Sequence, residues 1–451
     1  MNLEHKKILI FGTGISGISA AKLLQHISAD IIIYDGNDKI EISEIKGKLP
    51  ENFKGRILLG NLPEELIDTL DLIVLSPGVP TDLEIVNKMR EKQIPIWGEI
   101  ELAYYFAKGR IVAITGTNGK TTTTTLVGEI MKNYYENVFV VGNIGIPYTE
   151  MVLSTTDESV TVAEMSSFQL ETIHSFQPNV SAILNITPDH LNRHHTMENY
   201  IATKVNITLN QGLNDVCVLN YEDEVLREIG KKLKTKVFYF SSVHNLSKGI
   251  YLEEENIIYS SESKKTIICN IHELNIFGKH SYENVMAAVA ISISLGVPFG
   301  SIKKAITSFV AVEHRIEYVA TKNGVKYYND SKGTNPDASM KAIESMQTPT
   351  LLIAGGYDKG SEYDQWVDTF GDKIRYLVLL GQTKEKIAAV ARSHGYTNII
   401  LADNLLEAVE VCSVKANEGD SVLLSPACAS WGMFKNYEER GRLFKEYVKE
   451  L

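Results

Sequence analysis

The chain has 451 residues, too many for one hydrophobic core, so roughly two to four domains are expected. Hydrophobic residues make up 44% and charged ones 22%, as in soluble globular proteins, and a formal net charge of −11 excludes a general nucleic-acid binder, which needs basic surface against phosphates. Apolar runs fall short of the roughly 20 residues that span a bilayer, so no membrane insertion is expected.

The opening MNLEHKKILIFG runs from charge straight into a strand, so no signal peptide is expected. Cys217, Cys269, Cys412 and Cys428 are scattered and form no C-x-x-C pair, which suits a reduced, cytoplasmic setting.

Residues 1–106 alternate strands and helices. KILIFG, DIIIYD and DLIVLSPG read as strands, and ISGISAAKLLQHI and TDLEIVNKMREK as helices, with GEIELAYYFAK closing the region. FGTGISG fits G-x-G-x-x-G, and Asp35 ends the second strand where a ribose-binding acid would sit. Taken alone, this region predicts a dinucleotide site.

A second unit, residues 107–311, opens at RIVAITGTNGK. Its strands are VFVVGN, SVTVAEMSS, NVSAILNITPDH and DVCVLNY, and its helices include TTTTTLVGEIMKNYY and MENYIATKVNITLNQ. KVFYFSS, GIYLEEENIIYSS and KKTIICNI predict antiparallel hairpins beside the main sheet, followed by helices ENVMAAVAISISLG and SIKKAITSFV. A third unit, residues 312–451, alternates again: ASMKAIESM as a helix, with TPTLLIAGG, YLVLLG, NIILA and SVLLSPA as strands. The expected fold is α/β in three domains: a Rossmann-like N-terminal domain, a P-loop-type central domain with a mainly parallel sheet, and a Rossmann-like C-terminal domain.

GTNGKT follows an apolar strand and opens a helix. Gly116, Thr117, Asn118 and Gly119 let backbone N–H groups close around phosphate oxygens, Lys120 supplies positive charge, and Thr121, followed by Thr122, can ligate Mg²⁺. The loop is shorter than G-x-x-x-x-G-K-[ST], because Ile114 stands where the first glycine would be. Glu164 and His190, each near a strand end, are candidate Mg²⁺ ligands, and Lys204 lies four residues after Tyr200 on one helix face. EHRIE, NDSKGTNP, GGYDKG and SPACAS end strands of the third unit, where open α/β sheets bind ligands.

GTNGKTT, AEMSSFQLE, NITPDHLNRH, YIATK, FGKHSYEN, EHRIE, NDSKGTNP and SPACAS follow one another in the order seen in Mur ligases, and the chain resembles that family over nearly its whole length. GTNGKT is shared with folylpolyglutamate synthases; LSPGVP, GNIGIP, NDSKGTNP and SPACASWGMFKNYEERG are most similar to the branch that adds D-glutamate. The resemblance implies an ATP-dependent enzyme of peptidoglycan precursor synthesis that joins D-glutamate to UDP-N-acetylmuramoyl-L-alanine through an acyl phosphate, acting as a monomer in the cytoplasm.

It also implies roles. Ile15, Ser16 and Gly17 would contact the diphosphate, Asp35 would face the uracil end with Pro77 and Gly78 nearby, and Asn143 would reach the sugar-lactyl part. Lys120 and Thr121 would bind ATP phosphates and a first Mg²⁺ with Glu164, and His190 would ligate a second. Lys204 would be carbamylated by CO₂, which turns a cation into an oxygen ligand. Asn284, Arg315 and Asp330 would hold adenine, ribose and phosphate; Lys332, Thr334, Lys359, Ser430 and Tyr437 would surround D-glutamate. Three-domain closure would shield the acyl phosphate from water. Ser281 stands where the family pattern carries Asn, and Tyr357 where relatives carry Asp.

Three other readings are open to the sequence. An NAD-dependent oxidoreductase explains FGTGISG and Asp35 and leaves GTNGKT unused. A regulatory P-loop ATPase leaves Lys204 and SPACAS unused. Within the ligase class, a different amino acid or a folate-type acceptor is the alternative.

Overall fold

The computed structural model describes residues 2–143, 145–262, 264–276, 278–310 and 312–451. Ile144 of GNIGIP, Phe277 of FGKHSYEN and Ala311, at the expected second boundary, lie outside the described residues.

Three sheets follow one another along the chain. The first comprises β1 (Lys7–Phe11), β2 (Asp30–Asp35), β3 (Arg56–Leu59), β4 (Leu72–Leu75) and β5 (Ile96–Gly98), in the order β3-β2-β1-β4-β5. Every pairing is parallel, with Ile8 opposite both Ile31 and Leu72. β1, β2 and β4 are short, mostly Ile/Leu/Val runs covered on both faces, which is why they read as continuous apolar segments rather than alternating ones. The chain leaves β1 toward β2 on one side and later returns to β4 on the other. That reversal opens a crevice at the carboxyl ends of β1 and β4.

The second sheet comprises β6 (Arg110–Thr115), β7 (Val138–Gly142), β8 (Val160–Glu164), β9 (Val180–Ile183), β10 (Val216–Asn220), β11 (Lys236–Ser241), β12 (Gly249–Glu253), β13 (Asn256–Ser261) and β14 (Lys264–Asn270). Its order is β14-β13-β12-β11-β10-β9-β6-β8-β7. The hairpins expected beside this sheet are instead its continuation. β12 pairs parallel with β11, and only the β12–β13 and β13–β14 pairings are antiparallel. Phe240 and Ser241 pair with Ile250 and Tyr251, so a short connection without a helix carries the chain into a parallel neighbour. Local alternation cannot reveal that direction.

The third sheet comprises β15 (Glu317–Lys322), β16 (Val325–Asn329), β17 (Thr350–Ala354), β18 (Ile374–Leu379), β19 (Ile399–Leu401) and β20 (Ser421–Leu424), in the order β15-β16-β20-β17-β18-β19. β15 is its antiparallel edge; the other pairings are parallel. Successive residues of β17 feed opposite apolar layers. Leu351 and Ile353 pack with Tyr327, Val378 and Phe444, while Leu352 packs with Trp366, Phe370 and Leu423.

The chain forms two compact units: Met1–Asn270 with Glu283–Ile306, and Ile271–Tyr282 with Thr307–Leu451. The first unit holds two of the sheets around a shared apolar cluster that includes Ile8, Leu24, Ile100, Tyr148, Ile183 and Leu219. A polar clamp lies between them. Buried Glu99 accepts from the Thr149 amide at 2.7 Å, and the Thr149 hydroxyl lies 2.9 Å from the same carboxyl oxygen and 2.8 Å from Ser19 Oγ. All four cysteines are buried, with no disulfide among the described residues.

Gly17 is demanded by packing. A Cβ there would meet the Gly12 carbonyl oxygen at 2.0 Å, so the helix Ile15–Gln25 can approach the glycine-rich turn only without a side chain. Gly17→Ala should destabilise the chain by about 1–3 kcal/mol, read as a lower melting temperature; an unchanged one would contradict this contact.

Candidate active site

β6 lies between β9 and β8, with Thr115 opposite Ile183 and Ile114 opposite Glu164. GTNGKT therefore leaves its strand flanked by Glu164 on one side and the NITPDH segment on the other. Gly116 (φ 150°) and Gly119 (φ 84°) take positive φ, and the helix Lys120–Lys132 starts directly after them. Asn185 brackets the loop. It accepts from the Asn118 amide at 2.8 Å, its Nδ2 donates to the Asn118 carbonyl at 3.1 Å, and its own carbonyl accepts from the Thr117 amide at 2.9 Å. Asn284 closes the far side: a Cβ on Gly119 would meet its Oδ1 at 2.3 Å.

Lys120 folds back over the loop and donates to the carbonyls of Gly116 (2.9 Å) and Thr117 (2.8 Å). Lys204, from the helix Met197–Val205, donates to the same Gly116 carbonyl at 2.9 Å. Lys204 is 2% exposed, and its Nζ sits 4.6 Å over the Tyr200 ring. Burial, followed by the Lys120 charge, holds its amine well below the usual lysine range. Tyr200 in turn lies 3.1 Å from Thr117 Oγ1, which donates to the Thr187 carbonyl at 3.0 Å. Thr121 and Thr122 are buried at the helix start.

Glu164 is 1% exposed. Its Oε1 accepts from Asn143 Nδ2 at 2.8 Å, and its Oε2 has no hydrogen-bond partner among the described residues. An unsatisfied buried carboxylate oxygen beside a phosphate loop fits a hard divalent cation. Asn143, expected at a sugar-lactyl group, has its amide engaged on this carboxylate. His190 is exposed, caps the short helix Leu191–His194 in a left-handed conformation (φ 54°), and lies 3.6 Å from Asp189.

In the first sheet the two carboxyl-end loops touch. A Cβ on Gly12 would meet Ser76 Oγ at 2.6 Å, so FGTGISG and SPGVP share one crevice, bringing Ile15, Ser16 and Gly17 to the loop that carries Pro77 and Gly78. Ile15 is 75% exposed at the head of its helix. Asp35 braces the glycine turn from behind: its Oδ2 accepts from the Thr13 amide (3.1 Å) and hydroxyl (2.8 Å), and its Oδ1 from the Asn37 amide (3.0 Å).

In the second compact unit, NDSKGTNP, SPACAS and GGYDKG follow the adjacent strands β16, β20 and β17. Asp330 is fully buried; its Oδ2 accepts from Ser425 Oγ at 2.7 Å, and its Oδ1 is unpartnered among the described residues. Burial pushes its carboxyl up to about 6 against the pull of Arg315. Arg315, between His314 (φ 65°) and Ile316 (φ 46°), has a buried Nε likewise unpartnered there. Lys332 Nζ stands 5.3 Å over the Tyr437 ring, Ser430 is buried, Lys359 is exposed, and the Thr334 amide turns back onto the Lys332 carbonyl at 2.9 Å. Ser281 Oγ is 3.2 Å from His280 Nε2, and Tyr357 is exposed beside Trp431.

Three residues central to these sites carry little signal in the sequence. Asn185 is one letter in NITPDH, and its bracketing role depends on a strand pairing. Tyr200 shows only its spacing from Lys204. Arg440, in EERG, reads as a solvated helix charge yet is 2% exposed. It donates to Ser331 Oγ (3.0 Å), the Ser331 carbonyl (2.8 Å) and the Cys428 carbonyl (3.3 Å), tying two of the three loops together.

Three family profiles match the chain: Mur ligase MurD-like, N-terminal domain over residues 6–98; Mur ligase middle domain over 114–292; and Mur ligase, glutamate ligase domain over 314–428. The chain is 62% identical, over all of its length and 99% of the relative, to the UDP-N-acetylmuramoylalanine--D-glutamate ligase of Lachnoclostridium phytofermentans. It is 55% identical, over all of both chains, to the ligase of the same name from Lachnospira eligens. Among solved structures it resembles the UDP-N-acetylmuramate-alanine ligase of Thermotoga maritima (TM-score 0.60, 19% identity, covering 99% and 100% of the two chains). It also resembles the MurF ligase of Thermotoga maritima in complex with ADP (TM-score 0.60, 18% identity, 93% and 95%). These two likenesses carry the fold.

Asp330 gives a pH signature. A carboxyl raised from 3.8 to about 6 by burial contributes stability that is complete below the unfolded value and is lost as pH rises through the folded one. Asp330→Asn removes this loss. The gap in melting temperature between variant and native chain should therefore move in the variant's favour between about pH 4 and pH 7, by the equivalent of up to about 3 kcal/mol. A gap that does not move with pH would contradict the assignment.

Proposed function

This chain belongs to the Mur ligase family, and on that premise we propose how its residues carry out the reaction. It is an ATP-dependent ligase that adds D-glutamate to UDP-N-acetylmuramoyl-L-alanine in peptidoglycan precursor synthesis. The observation that carries the reading of the site is the convergence of Lys120 and Lys204 on the Gly116 carbonyl, beside the strand that ends in Glu164.

The terminal alanine carboxylate of the nucleotide substrate attacks the γ-phosphorus of ATP, releasing ADP and forming an acyl phosphate. The amine of D-glutamate then attacks the acyl carbon, and the tetrahedral adduct expels phosphate. Most of the protein's task is holding anions together without water. The glycine-rich backbone and Lys120 would cradle the ATP phosphates, with Asn284 at the edge of the loop. Ile15, Ser16, Gly17, Pro77 and Gly78 would hold the nucleotide-sugar substrate, with Asp35 fixing the turn that binds it. Arg315 and Asp330 would bind the nucleotide; Lys332, Thr334, Lys359, Ser430 and Tyr437 would bind the two carboxylates of D-glutamate.

Thr121, Glu164 and His190 would hold two Mg²⁺, which when bound neutralise phosphate charge. Lys204 fits a carbamate. Its buried amine is disposed to be uncharged, and an uncharged amine adds CO₂ with loss of a proton, giving an oxygen anion where a second ammonium would oppose Lys120. Buried cysteines outside any disulfide among the described residues support a reducing cytoplasm as the place of action, and no described helix is long and apolar enough to cross a membrane. The chain would act as a monomer.

Phosphate release with ATP and Mg²⁺ should require both UDP-N-acetylmuramoyl-L-alanine and D-glutamate; release with a different amino acid would move the specificity, and release with no acceptor would favour a bare ATPase. Lys204→Ala should lose about a hundredfold or more of this activity, and a short carboxylic acid should restore part of it. Labelled ¹³C-bicarbonate should give a carbamate carbon signal in the native chain and none in Lys204→Ala. Full activity in that variant would sink the carbamate.

A further inference from the structure

Between the first two sheets lies an ion pair that the reaction scheme above leaves without a task. Arg193 sits in the helix that His190 caps. Its side chain is 13% exposed and that of its partner Glu171 is 12% exposed. The two meet as a fork: Arg193 Nε donates to Glu171 Oε1 at 3.3 Å and Nη2 to Oε2 at 2.7 Å. Nη2 also donates to the carbonyl of Val79 at 2.9 Å, and the guanidinium lies 5.0 Å over the Phe168 ring. Glu171 Oε2 further accepts from Thr81 Oγ1 at 3.1 Å.

The arrangement joins three segments that are distant in sequence. Val79 and Thr81 belong to the SPGVPT loop after β4, whose Ser76–Val79 turn is closed by the Val79 amide on the Ser76 carbonyl at 2.9 Å. Glu171 ends the SSFQLE segment that follows β8 and Glu164. Arg193 lies three residues after His190. A planar guanidinium can satisfy a carboxylate through two parallel bonds and still hold a carbonyl from the same nitrogen; an ammonium cannot reproduce that fork. With both charges largely removed from water, loss of either partner leaves the other uncompensated.

We propose that Arg193, with Glu171, is a positioning residue for the nucleotide-sugar substrate. Through the Val79 carbonyl it sets the SPGVP turn, which carries Pro77 and Gly78, in register with the segments that carry Glu164 and His190. The pair thereby fixes where the alanine carboxylate arrives relative to the phosphate loop. Arg193 itself acts at one remove, through the turn. This inference rests on the substrate assignment in the preceding subsection.

The test is steady-state phosphate release by Arg193→Lys, Arg193→Ala, Glu171→Gln and the double variant Arg193→Lys/Glu171→Gln, with each of the three substrates varied in turn. Alongside it, binding of UDP-N-acetylmuramoyl-L-alanine is measured by calorimetry. In Arg193→Lys, which keeps the charge, KM and Kd for the nucleotide-sugar should rise about tenfold while KM for ATP and for D-glutamate stays within about twofold. Glu171→Gln should move the same parameter, and the double variant should be no worse than the poorer single one, because the two act as one unit. A residue that merely holds the sheets together would lower the melting temperature or the folded fraction and leave the three KM values unchanged; that result, or a parallel rise of all three, overturns the proposal. If Arg193→Ala does not fold, the Lys and Gln variants decide. A native chain that neither binds nor turns over the nucleotide-sugar overturns the substrate assignment itself, whereas native turnover with an unchanged KM in the variants overturns only the role of Arg193.

Discussion

Two lysine amines share one carbonyl oxygen, that of Gly116, and the site is organised around that crowding. Two ammonium groups on one acceptor repel one another, and the repulsion grows as water is excluded. The chain resolves it through burial. Lys204 lies under the loop against the Tyr200 ring, where the uncharged amine is favoured, and Lys120 lies at the more open side. One lysine can then serve phosphate while the other becomes a candidate for carbamate chemistry. The geometry requires Gly116 at φ 150°, Asn185 on the loop backbone, and a helix more than eighty residues later in the chain to deliver Lys204.

Around that point the sheets act as a scaffold that gathers loops. In a parallel sheet every carboxyl end faces the same way, so residues placed just after a strand converge whatever their separation in sequence. β6 and β8 bring GTNGKT beside Glu164; β1 and β4 bring the glycine turn beside SPGVP; β16, β20 and β17 bring NDSKGTNP, SPACAS and GGYDKG together. The fold supplies proximity, and the loops supply chemistry. Buried polar struts then hold the loops still. Arg440 spans two of them in the second unit, and the Arg193–Glu171 pair spans the first two sheets.

The two nucleotide-type loops differ in what surrounds them. The first has the dinucleotide fingerprint, yet both oxygens of Asp35 are occupied by Thr13 and Asn37. An acid whose oxygens already brace the protein's own turn has less capacity left to grip a ribose. The fingerprint itself describes a tight turn before a helix, and a diphosphate of any nucleotide suits that turn equally well. Pattern alone therefore names a phosphate site and leaves the rest of the ligand open.

Much of the molecule was legible in sequence, because strands covered on both faces are apolar runs and phosphate loops need glycine where the backbone must turn or approach closely. The three α/β regions, GTNGKT, and the motifs after β16, β17 and β20 are all local patterns of this kind. The residues that decided the site's electrostatics were not legible. Arg440 looks like an ordinary helix charge, Asn185 like a loop residue, and Arg193 like part of a basic helix end, while Lys204 is marked only by the family resemblance and its burial is not. Their roles come from burial and from partners far along the chain, such as the Gly116 carbonyl 88 positions from Lys204. The parallel entry of β12 into the sheet had the same cause, since strand direction is settled by the neighbour and alternation along the strand is blind to it. Sequence by itself determined which chemistries are present and where each loop begins, because those depend on side-chain type and on backbone freedom at neighbouring positions. Tertiary structure alone decided which charges lose their water and which groups share one atom, because desolvation and hydrogen bonding are set by segments that only folding brings together.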